Sequence, residues 1–89
     1  MKFSVLLSVY SKENPLFLKQ ALESIWCVQT LKPTEIVIVK DGPLTDELNQ
    51  VIDNFSETAP VKIVALEKNQ GLGAALNKGL THCQYDIVA

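Results

Sequence analysis

Residues 33–44 read PTEIVIVKDGPL, and the remaining chain can be placed around them. Thr34 to Val39 is a short apolar run rich in β-branched residues, opened by Pro33 and ending in the polar turn Asp41-Gly42-Pro43. A run without alternation fits a strand covered on both faces, and in open α/β sheets the carboxyl end of such a strand delivers polar groups to a ligand crevice. The plainer alternative is that Asp41-Gly42 only ends the strand, since D-G is a common turn signal.

Upstream, Phe3 to Tyr10 is apolar almost throughout and reads as a strand covered on both faces, expected at the centre of the sheet. Asn14 before Pro15 is an N-cap followed by proline at the first helical position. Leu18, Ala21, Leu22, Ile25 and Trp26 then recur at helical spacing, with the helix expected to end near Gln29-Thr30. Downstream, Thr45 caps a second helix with acids in its first turn and a stripe of Leu48, Val51, Ile52 and Phe55. Val61 to Leu66 is a third strand, more alternating and so nearer an edge. A third helix carries Leu72, Ala75, Leu76, Gly79, Leu80 and Cys83 on one stripe. Glycine inside a helix costs about 1 kcal/mol relative to alanine, so Gly79 implies close packing on the sheet. Gln84 to Ala89 looks like a fourth strand just beginning. The alternation predicts an α/β fold: an open, parallel, Rossmann-like sheet of order 3-2-1-4, cut off at strand 4. Residues 1–89 then form one partial domain, and the chain reads as a fragment.

Composition narrows the function classes. The 89 residues are 47% hydrophobic and 20% charged, which describes a folded globular chain. Eight basic residues scattered among ten acidic ones form no basic patch, so nucleic acid is not an expected partner. Cys27 and Cys83 both fall in predicted helices, without metal-ligand or disulfide-framework spacing, and are assigned to packing as reduced thiols. No apolar run is long enough to cross a bilayer. The expected location is the cytoplasm, with the inner membrane face as an alternative.

The order 3-2-1-4 gathers three loops at one rim: Tyr10 to Asn14, Lys40 to Leu44, and Leu66 to Gly71. The first has no glycine, so a dinucleotide fingerprint is absent, and no Walker A spacing occurs. A G-x-S-x-G elbow is missing, and His82, the one histidine, is assigned a capping or surface role near a helix end. What remains suits a nucleotide. Val9 or Tyr10 could meet base and ribose through the backbone, Glu13 could accept a ribose hydroxyl or base N–H, and Asp41 could accept from a uracil-type N3–H. Against these stand a core role for Tyr10, a solvated role for Glu13, and a choice for Asn69 between ligand contact and capping the third helix.

With these loops in view, SVLLSVYSKENPLFLKQALESI, QTLKPTEIVIVKDGPLT and LEKNQGLGAALNKGL together make the chain resemble the N-terminal, nucleotide-sugar-binding half of family 2 inverting glycosyltransferases of the GT-A fold. The resemblance implies that Val9, Tyr10 and Glu13 hold base and ribose at the end of strand 1, with Asp41 after strand 2. The acid pair usual there reads Lys40-Asp41, so lysine replaces the first acid. Leu76 stands before Asn77 where the family often has arginine. The implied donor is a nucleoside-diphosphate sugar, UDP-linked by expectation, and the acceptor a saccharide or lipid-linked saccharide in bacterial surface polysaccharide synthesis. A divalent cation, Mg or Mn, is implied with ligands beyond Ala89, as is an aspartate base for a single inverting displacement. The 89 residues are therefore expected to be inactive alone, to carry no catalytic or metal residues, and to self-associate through uncovered apolar surface. A non-catalytic α/β nucleotide-binding or interaction domain is the alternative. A nucleotidyltransferase would require a glycine- and arginine-rich first loop that this chain lacks.

Overall fold

The computed structural model describes residues 3–26 and 33–85. Its elements run β1 (Ser4–Val9), α1 (Pro15–Trp26), β2 (Glu35–Lys40), α2 (Asp46–Ser56), β3 (Val61–Ala65) and α3 (Leu72–Leu80). The strands are parallel in the order β1-β2-β3, with Ser4 opposite Glu35 and Ile38 opposite Ile63. That is the 3-2-1 part of the expected order. A fourth strand was expected over Gln84 to Ala89; Gln84 and Tyr85 are not in a strand, and residues 86–89 lie outside the described residues.

Strand β2 is the middle one of the three, and its first five residues are buried. Alternation across the pleat explains how a continuous apolar run is used on both sides. Ile36 and Ile38 face a core with Phe3, Val5, Val9, Leu18, Leu22, Leu48, Ile52 and Phe55, so α1 and α2 cover that face. Val37 and Val39 face Val64 and Ala75, so α3 covers the other. Fully burying side chains such as Leu22, Leu48 and Ile52 contributes roughly 1.5–3 kcal/mol each. Among the described strands β1 borders only β2, while β3 lies at an edge as its alternation implied.

Local signals fix the starts of the first two helices. Asn14 Oδ1 accepts from the amides of Leu16 at 2.9 Å and Phe17 at 3.4 Å, and Thr45 Oγ1 accepts from Leu48 N at 3.3 Å. Both satisfy amides that a helix leaves unpaired at its first turn. The end of the first predicted helix, at Gln29-Thr30, and Cys27 lie outside the described residues.

Helix α3 departs from its predicted stripe. Ala75 and Gly79 are buried, whereas Leu72 is 65% and Leu80 46% exposed. A Cβ on Gly79 would overlap Leu6 Cδ1 and come within 2.7 Å of Val39 Cγ2, so the glycine seats the helix against the sheet as expected. That close approach restricts the covered arc to small residues, and the leucines project along the flanks. The helix stops at Leu80, which places Cys83 in the turn after it and not within a helix. Ala21 of the α1 stripe is exposed as well, and Leu18 and Leu22 are that helix's buried anchors.

Candidate functional site

Three loops leave the carboxyl ends of the strands, and backbone bonds tie the second and third of them to the ends of neighbouring strands. Asp41 N donates to Val9 O at 2.8 Å, tying the second loop to the end of β1. Leu66 N donates to Lys40 O at 2.9 Å, tying the third loop to the end of β2. Gly42 adopts φ +87°, and a Cβ there would sit 2.7 Å from Asn69 N. Only glycine lets the second loop lie this close against the third.

Asp41 is the hub of the rim. Its Oδ1 accepts from Gln70 N at 2.7 Å, its Oδ2 from Gly71 N at 3.1 Å, and its carbonyl from Asn69 Nδ2 at 3.4 Å. The residue is 4% exposed. Gly71 is the N-cap of α3, with φ +90° and no capping side chain of its own. The Asp41 carboxylate accepts from the amides just before and at this N-cap, so it fixes the chain entering α3, whereas Asn14 and Thr45 accept from first-turn amides of α1 and α2; its negative charge lies near the helix end that favours it. Asn69 is not the cap considered from the sequence: its amide is directed back to the Asp41 carbonyl, because Gly71 occupies the capping position.

The other expected residues divide by exposure. Tyr10 is 42% exposed, which excludes the core role, and its carbonyl accepts from Glu13 N at 3.1 Å in the turn before α1. Glu13 is exposed on that turn. Val9 is 1% exposed and buried against the helices, so it can present only backbone to a ligand, and its carbonyl already holds Asp41 N. Lys40 is half-buried at the end of β2. Gly71 was expected only as the end of the third loop and Gln70 was not singled out; the bonds that their backbone amides make to Asp41 were not anticipated. A cleft of about 440 Å³ between α1 and α2, lined by Leu22, Val51 and Phe55 among others, includes no residue of the three loops. Among the described residues no group of three or more His, Cys, Asp or Glu could hold a metal ion. These residues do not by themselves fit a divalent cation.

An open, three-stranded parallel sheet with helices on both faces, its second and third crossover loops bonded at the carboxyl rim, is consistent with a truncated, Rossmann-like N-terminal half of the GT-A fold. The crystal structure of S. aureus TarS superposes with a TM-score of 0.71 at 26% identity, over 99% of this chain and 16% of that one. The mannosyltransferase PcManGT from Pyrobaculum calidifontis, solved with GDP-Man and Mn2+, shares the fold at a TM-score of 0.66 and 21% identity, over 91% of this chain and 24% of that one.

The sequence match to glycosyl transferase family 2 covers residues 4–89, and the chain belongs to that family. The UDP-Gal:alpha-D-GlcNAc-diphosphoundecaprenol beta-1,3-galactosyltransferase of Escherichia coli is 52% identical over 87 residues, which are 98% of this chain and 31% of that protein. The amylovoran biosynthesis glycosyltransferase AmsE of Erwinia amylovora is 51% identical over 87 residues, 98% of this chain and 32% of that protein. The chain thus spans about a third of the length of these relatives.

Proposed function

We propose that the chain is the donor-binding part of an inverting glycosyltransferase that takes a sugar from a nucleoside diphosphate, UDP by preference, and passes it to a saccharide or lipid-linked saccharide during bacterial surface polysaccharide synthesis. The observation that carries this reading is the bonded rim: Val9 at the end of β1, Asp41 from the second loop and Asn69 from the third meet at one end of the sheet, with Tyr10 exposed directly after Val9. A crevice outside the carboxyl ends of parallel strands is where open α/β domains hold nucleotides. The E. coli relative supports the donor and acceptor classes, since its name gives UDP-Gal and a diphosphoundecaprenol-linked GlcNAc.

In this reading Tyr10 offers its ring to the base and Glu13 accepts from the ribose. Asp41 accepts from a base N–H with the lone pairs its two backbone donors leave, while holding Asn69 and the third loop in place. A divalent cation, Mg or Mn, would offset charge developing on the diphosphate leaving group, its ligands and the base for the acceptor hydroxyl coming from the part of the relatives' length that this chain does not span. The proposed location is cytoplasmic, at the inner membrane face if the acceptor is lipid-linked. No helix among the described residues is long and apolar enough to cross a membrane.

Calorimetric titration of UDP into the protein tests the reading. Asp41→Ala is a poor probe alone, because it also frees two backbone amides, so Tyr10→Ala is the sharper variant. The expected outcome is weak binding of UDP, with Kd near 1 mM or about −4 kcal/mol, reduced several-fold in Tyr10→Ala. No measurable heat with UDP, or equal affinity in both proteins, overturns the assignment of the rim.

A further inference from the structure

At the opposite end of the sheet from the rim, each strand contributes one side chain to the same short piece of backbone. Lys62 Nζ, from β3, donates to His82 O at 3.1 Å. Glu35 Oε1, from β2, accepts from Gln84 N at 2.6 Å, and Ser4 Oγ, from β1, accepts from Tyr85 N at 3.3 Å. The Ser4 hydroxyl in turn donates to the same Glu35 oxygen at 2.7 Å. Ser4 is fully buried and Glu35 9% exposed, and the two are register partners at the start of their strands. A buried carboxylate and hydroxyl are costly unless satisfied, and here the exit from α3 satisfies them.

We infer that Ser4, Glu35 and Lys62 form a clamp in which Glu35 is a positioning residue: it fixes the path and register of the chain leaving α3. The contacts fall in spatial order, His82 at β3, Gln84 at β2 and Tyr85 at β1, so the backbone is led across the lower end of the sheet toward the outer edge of β1. The placement of the helices agrees. Right-handed crossovers that advance from β1 to β3 with α1 and α2 on one face must reverse direction when α3 lies on the other. A one-residue slip in an extended segment reverses which way each side chain points, so three contacts spread over His82, Gln84 and Tyr85 fix both the position and the register of this stretch. The same corner acts on Cys83. Burial, and after it the Glu35 carboxylate, push its thiol pKa up, while Lys62 pulls it down.

The clamp lies apart from the nucleotide reading, and ligand-free protein suffices to test it. Amide hydrogen exchange of the whole chain is followed by NMR for the wild type, Ser4→Ala, Glu35→Ala and Glu35→Gln. Glu35→Ala is expected to speed exchange at Gln84 about tenfold or more, with Ile52 in α2 unchanged. Ser4→Ala should affect Tyr85 more than Gln84. Glu35→Gln keeps the accepting oxygen and should restore protection at Gln84, a rescue that mere loss of bulk or stability would not give. Unchanged exchange at Gln84 and Tyr85 in the alanine variants, acceleration spread equally to Ile52, or failure of Glu35→Gln to rescue would each overturn the clamp.

Discussion

Asp41 shows what a single residue's surroundings add to its identity. As an acid ending a buried strand it was legible as a rim group, but its partners Gln70 and Gly71 lie 29 and 30 residues away, and no local pattern brings them together. Gly42 was legible only as a turn residue. Its neighbours show that it also has to lack a side chain, because backbone of the third loop occupies the Cβ position. Gly42→Ala should therefore combine strain at φ +87° with displacement of Asn69, a loss of roughly 2–4 kcal/mol. Gly71→Ala carries the backbone strain alone, since nothing lies within 4 Å of its Cβ position, and should cost about 1–3 kcal/mol. Urea unfolding of both variants measures the difference, and equal losses would count against the loop-on-loop packing.

Among the elements, α1 and α2 were readable because their instructions are local: Asn14 and Thr45 sit next to the helices they cap. The chain entering α3 is held by an acid from the loop after β2, and the helix's buried face is set by how closely Gly79 lets it approach Leu6 and Val39. Hydrophobic periodicity alone assigned Leu72 and Leu80 to that face because it cannot register interaxial distance. Two glycines of this helix should respond with opposite signs. Gly73 has open space at its Cβ position, so Gly73→Ala should stabilise by up to about 1 kcal/mol through helix propensity and a less free unfolded chain. Gly79→Ala would gain the same propensity but drive a methyl into Leu6 and the fully buried, β-branched Val39, and overpacking of this kind costs about 1–3 kcal/mol. Thermal melts of the pair decide it: a higher Tm for Gly79→Ala would mean that the helix is free to lift from the sheet.

On the scale of the whole molecule, the parallel alternation was the most legible feature, because strand–helix spacing constrains topology more tightly than any single residue constrains its contacts. The cost of that topology appears at the surface. Among the described strands the outer edge of β1 is unpaired, and a strand edge offers backbone donors and acceptors to another chain. Tyr10, Leu16 and Phe17 flank the turn that opens α1 in sequence, with Leu16 58% and Phe17 64% exposed. Exposed apolar side chains of this size favour contact with a second copy of the chain when the protein is concentrated. Static light scattering should accordingly give a mean mass that rises above 9.8 kDa with concentration. Phe17→Glu, which adds charge at an exposed position without touching the core, should lower that mass toward the monomer value. A constant 9.8 kDa across the concentration series, or a rise that Phe17→Glu leaves unaltered, would show that this corner does not drive association.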